Sequence, residues 1–182
     1  LEAQIVNMAD ELAYTAHDLD DGLRSGMITP GDLDGVTLWE ILLESVGIRP
    51  AALDDLARHR LIRRMIGLEV SDLIQTTHQR LRDSHIQSVE ELQSLSYNVM
   101  AFSEDMYRRN RQMKDFLYAN LYRHYRVERM AVKAGLIITE LFNAYQSKPE
   151  ILPAHVREQT EIFGLERTIC DYIAGMTDRF AI

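Results

Sequence analysis

Prolines and glycines are scarce, four and nine in a chain of 182 residues. Breaks in regular backbone are therefore rare. The long stretches between them carry a helical period, so an all-α protein is expected. The lone Cys170 excludes a disulfide framework within the chain, and its place beside Ile169 and Ile173 reads as a buried thiol. No apolar run approaches the roughly 18 residues that a membrane span needs, and no charged-then-apolar segment opens the chain. A cytoplasmic protein is the expectation. The sequence has no Gly-rich phosphate loop and no Ser/His/Asp arrangement, so neither P-loop nor triad chemistry is indicated. It also lacks internal repeats, low-complexity segments and any sign of a second domain.

What is present is charge, unevenly placed. The net charge of −8 divides into −10 over residues 1–55, +5 over 56–133 and −3 over 134–182. An acidic start and a basic middle suit a metal-plus-phosphate site, and equally suit ordinary pairing between neighbouring helices. Hydrophobic residues make up 46% of the chain, enough for a core that removes about 70% of the unfolded surface from water.

The first helix, Leu1 to about Arg24, has an apolar stripe of Ile5, Ala9, Leu12, Ala16, Leu19 and Leu23. Asp10, Tyr14 and Asp18 form a second row, four residues apart, which climbs one face. After Ser25-Gly26 the Thr29-Pro30-Gly31-Asp32 stretch reads as a turn. Thr37 and Glu40 read as a capping box over a short helix that ends at Gly47, with Trp39 as its core anchor.

A long helix is expected from about Ala52, just after Pro50, to Asp83. Its buried face is Ile62, Met65, Ile66, Leu73, Thr77 and Leu81; its outer face is Arg58, Arg60, Arg63, Arg64, Arg80 and Arg82. Gly67 suggests a break or a close helix crossing. Ser88 and Glu91 form a further capping box, and 94–102 reads as a short strand or an extended connector.

From Glu104 the period returns. Met106, Met113, Leu117 and Leu121 make an apolar seam, and Lys114, Tyr118 and Tyr122 a second row at i, i+4 and i+8. A following helix carries Met130, Ala134, Ile137, Leu141 and Tyr145. After breaks at Pro149 and Pro153, the closing helix aligns Leu165, Ile169, Ile173, Met176 and Phe180. His17 and Asp21 lie four apart but make no specific metal site by themselves.

Three stretches, ADELAYTAHDLDDGLRSG, KDFLYANLYRHYRV and ERTICDYIAGMTDRFA, are spread over nearly the whole chain. Together they resemble the C-terminal half of the HD-domain deoxynucleoside triphosphate triphosphohydrolases, the dGTPase-like family. The resemblance implies a multi-helical HD-domain-like bundle, with residues 1–182 forming one all-helical unit. It also implies a divalent metal, Mg or Mn, held by two His and two Asp, of which Asp10 corresponds to the last. Tyr14 and Asp18 match positions lining the deoxyribose pocket, and Lys114, Tyr118 and Tyr122 match a region facing the triphosphate and base.

The family cleaves a dNTP to a deoxynucleoside and intact triphosphate. Its HDLGHPPFGH-like motif has no counterpart here, because His17-Asp18 sits in the context of the later helix. The chain opens on Leu1, in agreement with a missing N-terminal segment. The expectation is a 182-residue piece that is inactive alone, within an active hydrolase. Homo-oligomers, and single-stranded DNA contacted by the basic, tyrosine-rich middle, are further expected partners. The alternative is a stand-alone helical interaction or nucleic-acid-binding module without catalysis.

Overall fold

The computed structural model describes residues 1–49, 51 and 53–182. The expected break at Pro50 and helix start near Ala52 lie outside the described residues. The fold is all-α, with no strand among the described residues, and no helix there is long and apolar enough to cross a membrane. Contacts gather the chain into two compact units, Leu1–His124 and Tyr125–Ile182.

The first unit is built from α1 (Glu2–Arg24), α2 (Thr37–Val46), α3 (Asp55–Ser84), α4 (Val89–Ser94) and α5 (Glu104–Leu117), the last continuing into a π-helical turn at Tyr118–Tyr122. One apolar core joins α1, α2, α3 and α5 through Leu19, Trp39, Leu61, Met65, Met113 and Leu117. Trp39 is fully buried, as an anchor should be. The seam of α5 is buried as its period requires: Met106, Met113, Leu117 and Leu121 all face inward.

The stripe of α1 is buried only in part. Burial begins at Leu12, and Ile5 and Ala9 are exposed. The first turns are tied down instead by Gln4, whose Oε1 accepts from the Val99 and Met100 backbone N–H groups at 3.0 and 3.1 Å. No strand forms over 94–102: Ser94 closes a helix, and the residues after it bend irregularly with Val99 and Phe102 buried, the Gln4 side chain serving as partner for two of their backbone N–H groups.

Other expectations are corrected as well. The capping box at Thr37 does not form, because α2 starts one residue sooner than a Thr37 cap allows, with Val36 at the cap. Glu40 instead accepts from Gly35 N–H, and Gln112 of α5 accepts from Thr37 N–H at 3.0 Å while donating to Gly35 O at 2.7 Å. A full capping box is found at Thr29 and Asp32. Ser88 does cap α4, but the Glu91 carboxylate reaches Gln87 N–H.

Gly67 neither breaks α3 nor meets a neighbour; the helix runs through it and the site is open. Arg58, expected outside, is buried, because it lies one turn before Ile62 on the inward stripe. It is held there by Asp20 of α1, at 2.8 Å from its Nε, and by Asp55.

The second unit has α6 (Tyr125–Ser147), α7 (Ala154–Arg157), α8 (Thr160–Phe163), α9 (Leu165–Ala174) and α10 (Asp178–Ala181). Its core is small: Leu152, Val156 and Ile169, flanked by half-buried Phe142, Tyr145, Leu165, Tyr172 and Ile173. Tyr145 and Tyr172 pack edge to face, 5.5 Å between centroids. Only the C-terminal half of the α6 row is covered, so Met130 and Ala134 are exposed where Ile137, Leu141 and Tyr145 are not.

The closing helix is shorter than its pattern. It ends at Ala174, and Phe180 sits exposed on separate α10. Cys170 is exposed rather than buried. It follows inward-facing Ile169 by one residue, a rotation of about 100° that points it outward.

Candidate functional site

The two rows seen in the sequence meet. Tyr14 and Asp18 of α1 line one cavity of about 580 Å³ together with Lys114 of α5 and Tyr118 and Tyr122 of the π-helical turn. Asp10, one turn before Tyr14, is exposed and is not among the lining residues. The rows are linked directly at two points. Lys114 Nζ pairs with Glu11, and the Tyr122 hydroxyl donates to the Asp18 carboxylate. Both links join positions more than a hundred residues apart in sequence.

Local backbone explains the tyrosines. After Leu117 the hydrogen bonding widens to i→i+5, with Arg123 N–H reaching Tyr118 O at 3.2 Å. A wider turn brings residues four apart closer to one line, which suits Lys114, Tyr118 and Tyr122; π-helical turns are frequent at functional sites. The two rings pack edge to face at 6.4 Å, and Arg123 lies over the Tyr118 ring, 5.3 Å from its centroid, while donating to its hydroxyl at 2.9 Å. The hydrogen bond to Asp18, then burial, then the Asp18 charge push the Tyr122 hydroxyl up to about 12. Tyr122 therefore stays a donor throughout the physiological range.

The sequence reading missed Glu11, Thr15, Arg111, Asp115 and Leu117, which also line the cavity. Glu11 was open to detection, since Glu11, Tyr14 and Asp18 fall at i, i+3 and i+7 on one face. Thr15 bonds back to Glu11 O at 3.0 Å and is occupied with its own helix.

Glu69 was missed as well. It sits between Met65 and Leu73 on the apolar stripe of α3 and is fully buried. An acid inside a 3.6-period apolar row is a signal that the sequence carries.

The donor set does not by itself make a metal site. Asp10 is one exposed carboxylate, and no group of three His, Cys, Asp or Glu that could hold an ion occurs among the described residues. His17 is exposed, and Asp21 is engaged with Arg24 at 2.8 Å. A hard divalent cation takes six or more oxygen ligands or waters in defined geometry, beyond what one carboxylate fixes.

Residues 100–182 match the family model described as a phosphohydrolase-associated domain. The whole chain is 46% identical to a deoxyguanosinetriphosphate triphosphohydrolase-like protein of Geobacter metallireducens, covering 48% of that protein. Counterparts of the same description from Deinococcus deserti and Ralstonia pickettii are 44% and 43% identical, again over all of this chain and 48% and 47% of theirs. The chain spans about half the length of the curated relatives it matches, their C-terminal half.

Proposed function

We propose that this chain, similar along its whole length to the C-terminal half of deoxyguanosinetriphosphate triphosphohydrolase-like proteins, forms the sugar and phosphate side of a dNTP cleft in a triphosphohydrolase. The observation that carries the reading is the meeting of the two rows across one cavity, fastened by Lys114–Glu11 and Tyr122–Asp18. One concave surface there gathers two cations, three carboxylates and three tyrosines, the convergent polar and aromatic groups that a nucleotide pocket uses.

Each side chain has a physical task in this reading. Asp18 accepts a hydrogen bond from the sugar 3′-hydroxyl, with the Tyr122 hydroxyl holding the carboxylate in place. Tyr14 packs against the 2′ carbon and leaves no room for a ribose hydroxyl. A polar group left unpaired there costs about 1–3 kcal/mol, enough to discriminate deoxy from ribo substrates. Lys114 exchanges Glu11 for a phosphate oxygen. Tyr118, braced by Arg123, walls the nucleotide side.

The reaction would release the deoxynucleoside from intact triphosphate. These residues bind and orient; the family's metal would require donors besides Asp10, and no step is assigned to it. The 182 residues alone are accordingly expected to bind dNTP without turning it over.

Calorimetry with dGTP in metal-free buffer tests the reading. Asp18→Asn and Lys114→Ala should each weaken binding about tenfold, a loss of ~1.4 kcal/mol, and GTP should bind less tightly than dGTP. Unchanged affinity in both variants would sink it. Steady dNTP turnover by the 182-residue chain would overturn the expected inactivity.

A further inference from the structure

Among the described residues, Glu69 is a buried acid of the first unit's core for which the cleft has no use. It lies on α3 in the row of Met65 and Leu73, and its exposure is 0%. Neither of its carboxyl oxygens completes a hydrogen bond of good geometry, and neither does Oδ1 of buried Asn110 on α5, although the Asn110 side chain lies near enough to pull on the carboxyl. Asn110 is one turn before Lys114, and Glu11 of α1 faces Lys114 from the other side. Glu69 thus lies within electrostatic reach of the ion pair that lines the cavity, with the Asn110 side chain of α5 near its carboxyl.

Two carboxyl groups and one ammonium share that place. With Glu69 neutral the group is balanced, and the Glu69 O–H is a donor of the kind that the orphaned Asn110 oxygen lacks. With Glu69 ionised, an unpaired buried charge competes for Lys114 from the core side. Burial pushes the Glu69 carboxyl up to about 8, against weaker opposing pulls from Asn110 and Lys114, with Glu11 adding to the rise. The neutral acid is the form held at neutral pH. Tyr122, titrating near 12, stays out of this range.

We propose that Glu69 is a positioning residue of the cleft: as a neutral acid it leaves the Lys114 ammonium to the cavity, and on ionising it withdraws that ammonium from an incoming phosphate. This rests on the nucleotide reading of the cavity and adds to it a proton-linked control of the phosphate contact from inside the core.

The test uses the full chain, with ¹³C-labelled Glu and Lys side chains, as wild type, Glu69→Gln and Glu69→Met. The second variant suits the apolar stripe and keeps the test open if the first fails to fold. In the ligand-free protein, the Glu69 carboxyl should titrate near 8, with a step in the Lys114 signal at the same pH that both variants abolish. A Glu69 midpoint near 4.5, or no step at Lys114, overturns the proposal.

In metal-free buffer, wild-type affinity for dGTP should fall about three- to tenfold more than that of either variant between pH 7 and 9.5, the size of a one-unit charge coupling, because ionisation of the guanine N1–H acts on all three proteins alike. An equal fall in the variants also overturns it, since a merely structural Glu69 would leave that profile unchanged. If no protein binds dGTP at any pH, the cleft reading fails and the positioning role with it. The ligand-free titration reports the Glu69–Lys114 coupling separately.

Discussion

The two units spend their apolar residues differently. In Leu1–His124, helices distant in sequence bury Trp39, Leu61, Met65 and Met113 completely, and the cavity opens on that core. In Tyr125–Ile182, the buried apolar residues are Leu152, Val156 and Ile169, while Val132, Leu136, Ile138, Ile162 and Phe163 stay exposed. A side chain holds a precise position when its helix is packed on several sides. The difference therefore places the site-bearing rows where the scaffold is stiffest, and leaves the second unit marginal by its own core.

The sharpest way to break this contrast is a pair of truncations read by denaturant unfolding. Trp39→Ala should cost about 3–5 kcal/mol and Ile169→Ala about 2–4 kcal/mol. Fluorescence of Trp39 should respond to Ile169→Ala far less than circular dichroism does. Equal shifts in both signals would mean one cooperative body and would erase the contrast.

The next effect is linked to protons. A carboxyl whose folded value is raised to about 8 keeps a proton that the unfolded chain loses near 4.5. Its contribution to stability is therefore fully present below 4.5 and declines as pH rises toward 8, with a slope of up to about 1.4 kcal/mol per pH unit. Glu69→Gln should flatten that part of the stability profile; an unchanged slope would show that Glu69 is not the group responsible. The smallest effect is a gain. Gly67→Ala, at an open helical site, should stabilise the first unit by up to about 1 kcal/mol, seen as a higher midpoint with unchanged m-value.

Periodicity made the helices and the meeting rows legible. Met106, Met113, Leu117 and Leu121 could be placed because four turns of spacing leave one inward face. The row of Tyr14 and Asp18 and the row of Lys114, Tyr118 and Tyr122 were visible separately. That they face each other, through Glu11 and Asp18, is a tertiary fact that no local spacing contains.

The misreadings share a cause. The charge of Arg58 and the apolar neighbours of Cys170 mislead, because rotation about the helix axis decides burial. Thr37 was read as a cap from its letters, but a partner from α5 claimed its N–H. Ile5 and Met130 follow their helices' stripes into turns that nothing in their own unit covers.

The glutamine contacts carry a consequence for chemical ageing. Gln112 both accepts from Thr37 N–H and donates to Gly35 O, and Gln4 accepts from two successive amides. Deamidation would treat the two unequally. Hydrolysis of the Gln4 amide keeps its accepting oxygen and adds negative charge in front of two N–H groups, a tolerable change. At Gln112 it replaces the donor by an anionic oxygen 2.7 Å from a carbonyl, so the loop before α2 would be released from α5. The lifetime of that junction is thus set by the chemistry of one side-chain amide rather than by the strength of the core beneath it.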